Sequence, residues 1–432
     1  MKSMAQCSLF VFMLGLFTGH LDGAVGPIRV SQDGRYFVDQ TGAPFFWLGD
    51  TQWELFVKFT EQDAASICEN RKTKGFSVLQ IMILGVEGGT KPNVQGDKPL
   101  LNDDPLTPNE RYFAHVDAVV ETANQNNLAC VIGIYHKSND YGRLITAKTA
   151  RPWARWVGQR YQRCRNIVWS MYPQAKDSYS PIVRELAAGL QEGDGGRHLI
   201  TVHPDPSPAS SSEHWHQDSW LAFNTIQTWN SGFANYQMVA SDYARRPRKP
   251  VVDGEARYEE EGGTKPLDIR RGAYWSFLAG GFYSYGHGGN WMSPGKWRTW
   301  IDAPGASQMA VYREIITSLP RWWTRIPDQS ILVGGAGSGR TPGAAARSAA
   351  GDWILVYVAS PATMTINMAK ITSGSMAQAF RIDPRTGERT LIGSHPASGQ
   401  QSFTTPAGWD DGVFLVSKPG IAQGQRPGAM TD

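Results

Sequence analysis

The sequence predicts an α/β fold: a (β/α)8 TIM barrel followed by a small all-β sandwich. Three observations predict it. Eight short apolar runs, from "PFFWLGDT" to "GGFYSYGHG", alternate with helix-patterned segments over roughly the 250 residues that such barrels occupy. These runs end in polar residues nearly all the way round. From Pro327 the chain changes to short strand-like runs punctuated by Gly and Pro. The predicted divisions are a signal peptide over 1–24, the barrel over 25–326, the sandwich over 327–418 and a disordered tail over 419–432.

Taken in order, Lys2 precedes an apolar run from Cys7 to Phe17, followed by small residues at Gly23 and Ala24. The run is too short to cross a bilayer and has the pattern of a signal peptide, although Asp22 makes an imperfect cleavage site. Secretion or periplasmic export is expected, and no later segment reads as a membrane span. "IRVSQDGRYFVDQTGAPFFWLGD" reads as a hairpin leading into the first buried strand. The strands that follow are "FSVLQIMIL", "LACVIGIYH", "NIVWSMYP", "HLITVHP", "AFNTIQTW", "PVVDGEA" and "GGFYSYGHG". Helices fall between them, as in "TEQDAASICENRKTKG", where Thr60 is a plausible N-cap and Gly75 a stop. No G-x-G-x-x-G follows the first strand, which argues against a doubly wound dinucleotide fold. "ILVGGAGSGRTPGAAARSAAG" reads as a Gly/Ala/Ser-rich connector to the sandwich strands "WILVYVAS", "MTINM", "AQAFRID", "RTLIG", "QSFTT" and "GVFLVS".

Composition narrows the function. A net charge of +3, with no basic block, argues against a nucleic-acid partner. Sixteen tryptophans is a high count; most are expected in the core or at its edge, while the residue type also suits flat, partly apolar ligands such as sugar faces. Beyond Cys7 the cysteines are Cys68, Cys130 and Cys164, with no CxxC or Cys/His cluster and at most one disulfide. No H-E-x-x-H spacing occurs, so no metal or other cofactor is expected. The oligomeric state is not legible.

Polar residues at the C-terminal ends of barrel strands read as catalytic or binding. Here they include Asp50 and Trp53, His136, Tyr172 and Gln174, His203 and Asp205, Gln227 and Trp229, Glu255 and Tyr258, and His287 and Trp291. Carboxylates on opposing strands suit glycoside hydrolysis, one as acid and the other as nucleophile or base. Glu255 ends the seventh strand and is the first candidate; its structural alternative is a salt bridge to Arg257. Asp50 either binds sugar hydroxyls or caps the next helix. Glu259, Glu260 and Glu261 read as a solvated loop.

"FFWLGDTQWELF", "ENRKTKGFSVLQ", "EGDGGRHLITVHP" and "DGEARYE…RRGAYWSFLAGGFYSYGHGGNW" together resemble the apiosidase-like glycoside hydrolases over nearly the whole mature chain. The resemblance implies a (β/α)8 barrel with a C-terminal β domain of the collagen-binding type, which "FRIDPRTGERTLIG" resembles. It implies release of the branched furanose apiose from pectic rhamnogalacturonan II. It also implies that Glu255 is one of two catalytic carboxylates, with Asp50, Trp53, Tyr258, His287 and Trp291 lining the sugar pocket. Family members commonly carry an aspartate after the fourth strand, where this chain has Gln174 in "IVWSMYPQAKD". An amide cannot donate a proton as a carboxylic acid does. Asp177, ahead of Asp205 and Asp140, is the expected replacement. The expectation is therefore an exported glycoside hydrolase acting on a polysaccharide or oligosaccharide. The alternatives are a carbohydrate-binding protein without catalysis, motivated by Gln174, and an adhesion protein acting through the sandwich. If the sandwich instead caps the barrel, it should pack near "RWWTRIP", and its deletion should destabilise the barrel.

Overall fold

Eight parallel strands form the barrel wall of the computed structural model: β1 (Leu48–Thr51), β2 (Val78–Met82), β3 (Ala129–His136), β4 (Ile167–Tyr172), β5 (Ile200–Val202), β6 (Asn224–Gln227), β7 (Val251–Glu255) and β8 (Phe282–Tyr285). The structure describes residues 26–86, 88–137, 139–231, 234–335 and 337–421. The expected signal peptide and all but three residues of the expected tail lie outside the described residues. Except for β5 and β6, each strand pairs with its neighbour in sequence, and β8 returns to β1 through Tyr283↔Leu48 and Tyr285↔Asp50. The remaining seam, β5 to β6, has no regular ladder. There the Ala222 amide donates to Ile200 O (2.8 Å), and the Thr201 hydroxyl bonds Phe223 O (2.9 Å) and Thr225 Oγ1 (2.8 Å). All eight apolar runs are strands, because a strand covered on both faces must be apolar at successive positions.

Helices fill the outer layer: α1 (Glu61–Thr73), α2 (Glu110–Gln125), α3 (Ala150–Tyr161), α4 (Ser180–Asp194), α5 (Asn235–Ala244), α6 (Pro266–Leu278) and α7 (Pro304–Thr317). In α1 the Thr60 hydroxyl accepts from the Asp63 amide (3.1 Å). Glu61 and Asp63 complement the positive end of the helix, and Arg71 and Lys72 the negative end. Gly75, at φ +75°, supplies the left-handed residue that ends it.

The C-terminal part is two antiparallel sheets. Six strands run in the order Arg325–Pro327, Ala344–Ser348, Trp353–Val358, Gly412–Ser417, Met376–Ile382 and Arg389–Pro396. A second sheet of Leu332–Gly334, Thr363–Asn367 and Gln400–Thr404 packs its Met364 and Ile366 over Ile354, Val356 and Phe414 of the first. The stretch read as a connector contains two strands. Its alanines alternate: Ala345 joins the sandwich core, whereas Ala344 and Ala346 join the cluster shared with Tyr274 and Trp275 of α6. A low-hydropathy Ala run hid a strand whose side chains are small because both faces are tightly covered.

Candidate active site

The arrangement of the site begins in the backbone of β7. Ile226 pairs with Asp253, but the next residue of β6, Gln227, pairs with Glu255, so Gly254 is an extra, bulged residue. A Cβ at Gly254 would lie 2.5 Å from Thr225 Cγ2, so only glycine fits this inward position. Asp253 turns to the helix side, where it accepts from Thr228 Oγ1 (3.1 Å) and Ser276 Oγ (3.4 Å). Burial raises its carboxyl to about 7, against the hydrogen bonds from Thr228 and Ser276. The bulge redirects Glu255 into the barrel mouth.

Four side chains surround the Glu255 carboxylate. Gln227 Nε2 donates to Oε2 at 2.7 Å, the Tyr258 hydroxyl donates to Oε1 at 2.7 Å, and the Tyr172 hydroxyl also donates to Oε2. His203 Nε2 lies 3.1 Å from Oε2, near enough for charge attraction but off the line of a well-directed hydrogen bond. Burial opposes ionisation, yet His203 and the two phenols overcome it and hold Glu255 at about 2. Burial, reinforced by Glu255, keeps both phenols protonated and able to donate. Glu255 is therefore ionised at neutral pH, suited to act as nucleophile or base and unsuited to act as acid. Arg257 is not among the partners found for it.

Glu255 lies in the wall of a cavity of about 210 Å³, with Trp53, Met82, Val86, His136, Tyr172, Asp205, Gln227, Trp229, Tyr258, Glu261 and Trp291. Trp53 is buried and donates from Nε1 to the Tyr258 hydroxyl oxygen (2.8 Å). Trp229 and Trp291 are 37% and 42% exposed and form the rim; Trp229 Nε1 donates to Glu261 Oε2 (3.2 Å). His136 stacks on Tyr172, with centroids 4.7 Å apart. Among the described residues, no group of three or more His, Cys, Asp or Glu could hold a metal ion.

Of the sequence candidates, the structure thus gathers Trp53, His136, Gln227, Trp229, Glu255, Tyr258 and Trp291 at one cavity, with His203 against the carboxylate. Four others lie elsewhere. Asp50 is buried below the mouth, accepting from Arg71 Nε (2.7 Å) and Gln52 Nε2 (2.6 Å), so it neither caps a helix nor faces a ligand. His287 is buried, accepts from the Gly289 amide at Nδ1 (2.9 Å) and stacks on Trp300. Gln174 bridges to Asp205 through the backbone and is not in the cavity wall. Asp177 is 93% exposed and bonded to His214 Nδ1 (2.7 Å), away from Glu255.

The acidic run also departs from expectation. Glu259 is buried, accepting from Tyr285 O–H (2.7 Å) and the Gly305 amide (2.9 Å), and Glu261 lines the cavity; Glu260 alone is solvated. Tyr172, which ends β4 in "SMYP", reads in the sequence only as one polar strand end among many; its hydroxyl bond to Glu255 depends on the register of distant strands. The cysteines Cys68, Cys130 and Cys164 are free thiols.

A (β/α)8 barrel holding an ionised carboxylate among indoles at the C-terminal strand ends defines a glycoside hydrolase, and comparison with known proteins agrees. Residues 31–324 match the model "Apiosidase-like, catalytic domain", and residues 326–417 match "Putative collagen-binding domain of a collagenase". The chain belongs to the apiosidase-like family. It is similar to a solved glycoside hydrolase at 26% identity and a TM-score of 0.83, covering 91% of this chain and 97% of that one. It is also similar to a glycoside hydrolase family 5 protein from Bacteroides vulgatus ATCC 8482, at 26% identity and 0.82, covering 90% and 93%. With a GH27 β-L-arabinopyranosidase from Geobacillus stearothermophilus it shares the fold, at 10% identity and 0.55, covering 87% and 96%. Comparison with curated protein sequences finds no match.

Proposed function

We propose that this chain is exported and cleaves a glycosidic bond in a polysaccharide or oligosaccharide, releasing a furanose such as apiose, with Glu255 as the reacting carboxylate. The observation that carries the reading is the Glu255 carboxylate, kept ionised at the wall of a cavity ringed by Trp53, Trp229 and Trp291. The cavity is smaller than the ~300–1,000 Å³ of sites for drug-sized ligands, which suits a single sugar residue. Indole faces bind the apolar face of a sugar ring, while Gln227 and Asp205 offer polar contacts to hydroxyls. Export rests on the apolar run from Cys7 to Phe17.

The test is sugar release by the wild type from a polysaccharide panel that includes rhamnogalacturonan II. Release of a branched pentose is the expected result. Release of a hexose instead would overturn the furanose part, and no release from any substrate would overturn the reading.

Tyr258 alone of the four partners bonds Oε1, so Tyr258→Phe should raise the Glu255 pKa from about 2 toward its ordinary value near 4.5. The acid limb of kcat/KM should then move upward, costing activity at mildly acidic pH where the wild type still works. A pH–rate profile checks this; a limb that stays in place would mean that Tyr258 does not hold the charge.

A further inference from the structure

Glycoside cleavage needs a proton for the departing oxygen, and Glu255 cannot hold one at working pH. The amide of Gln174 cannot supply it either, Asp177 is turned to solvent, and of the other cavity carboxylates Asp205 is paired with Lys137 and Glu261 accepts from Trp229 Nε1. Resting on the hydrolase reading with Glu255 as the reacting carboxylate, we propose that the Lys137 ammonium, seated on Asp205 beside the cavity, is the proton donor.

Three strand ends build this pair. Lys137 directly follows β3, and its amide donates to Tyr172 O at the end of β4 (2.9 Å). Asp205 follows β5; its amide donates to Pro173 O (3.0 Å), and its carbonyl accepts from the Ala175 amide (2.7 Å). The two side chains thus meet over the end of β4, in an ion pair between Lys137 Nζ and Asp205 Oδ2. Asp205 lines the cavity. Lys137 Nζ lies 5.7 Å from the centroid of the Tyr172 ring, and the hydroxyl of that ring donates to Glu255. One phenol therefore has the ammonium over its ring and the carboxylate on its hydroxyl. The Lys137 side chain is 14% exposed, so it is largely desolvated but keeps some accessible surface next to the cavity-wall residues Asp205, His136 and Tyr172.

The titratable groups around it are Asp205 after β5, Glu255 on β7, Tyr172 on β4, His203 after β5 and His136 on its own strand. Burial pulls the ammonium down to about 8, with Glu255 opposing. It is protonated at neutral pH and acidic enough to give its proton up.

The step balances with water alone. A Glu255 oxygen bonds the anomeric carbon as the bond to the leaving oxygen breaks. The bonding pair goes to that oxygen, which takes a proton from Lys137 Nζ. The neutral amine then takes a proton from water as the water oxygen displaces Glu255, restoring both the ammonium and the carboxylate.

The test uses methyl and 2,4-dinitrophenyl glycosides of the sugar released by the wild type. Dinitrophenolate leaves without a proton, whereas methoxide does not. In kcat/KM, which ends at adduct formation and omits the later base-assisted attack of water, Lys137→Met should lose ~10²–10⁴-fold on the methyl glycoside and less than about tenfold on the dinitrophenyl one. Lys137→Arg keeps a cation on Asp205 but cannot release a proton, and should fail in the same selective way. The wild type, with no substitution at all, should show a basic limb of kcat/KM near pH 8. Equal losses on both glycosides, full activity of Lys137→Arg, or a basic limb in the carboxylic-acid range near pH 5–6 would each overturn the proposal while leaving the hydrolase reading intact. A wild type that releases no sugar from any polysaccharide of the panel would overturn both.

Discussion

Glu255→Gln is expected to lose sugar release while keeping the fold. The amide has nearly the volume of the carboxylate, and its oxygen can still accept from Tyr172, Tyr258 or Gln227. What disappears is the negative charge that His203 and the two phenols hold in place. An amide neither attacks an anomeric carbon nor takes a proton from water. The loss in kcat/KM should be ~10²–10⁴-fold if the carboxylate acts as a base, and larger if it attacks carbon directly. Measured side by side, the thermal transition of the variant should stay within a few degrees of the wild type, because the change is isosteric. Ligand binding should survive, because Trp53, Trp229 and Trp291 are untouched. Sugar release at the wild-type rate would remove Glu255 from the chemistry and direct the search to Asp205 and Glu261, the other carboxylates of the cavity wall.

The barrel was legible because its signal is local. A parallel strand under a helix must be apolar at every position, and a helix must announce its start, as Thr60 does with Asp63. Glu255 was legible for a related reason, as a carboxylate closing such a run. Side-chain direction was not, because it is set by residues distant in sequence. Asp50 stands at a strand end like Glu255, but Arg71 on the following helix claims it. Glu259, Glu260 and Glu261 are consecutive and look alike, yet Glu260 takes a left-handed turn at φ +64°. The three carboxylates consequently part: one onto Gly305, one into solvent, one into the cavity. The Gly254 bulge is of the same kind. It is visible only in the register of β6 on β7, and without it Glu255 would share the outward face of Asp253.

The second large effect concerns the junction of the two domains. Asp411, in the β domain, receives a two-pronged contact from Arg270 of α6, with Nε to Oδ2 at 2.8 Å and Nη2 to Oδ1 at 2.7 Å. Tyr357 O–H adds a third hydrogen bond at 2.7 Å, and the two charged side chains are 3% and 1% exposed. Around the pair, Tyr274 of α6 stacks on Tyr357 at 4.6 Å, Arg271 donates to Ala359 O, and Trp275 donates to Pro342 O. Leu355 and Leu415 belong to the same apolar cluster as Phe277 and Tyr312 of the barrel. Asp411→Ala leaves the Arg270 guanidinium buried without its partner, and should cost ~3–5 kcal/mol. Replacing both charges together, as in Arg270→Met with Asp411→Leu, should recover most of that loss, because no uncompensated charge remains. Denaturant unfolding followed by tryptophan fluorescence reads both variants. A single transition that moves for barrel and β domain together is expected, since α6 and α7 carry one face of the shared cluster. Two separated transitions, with the barrel unmoved, would mean that the β domain is an appended module. The predicted coupling reaches the site by a short path: α6 is the helix that follows β7, so the domain that clamps α6 also steadies the segment between Glu255 and Pro266 that carries Tyr258 and Glu261.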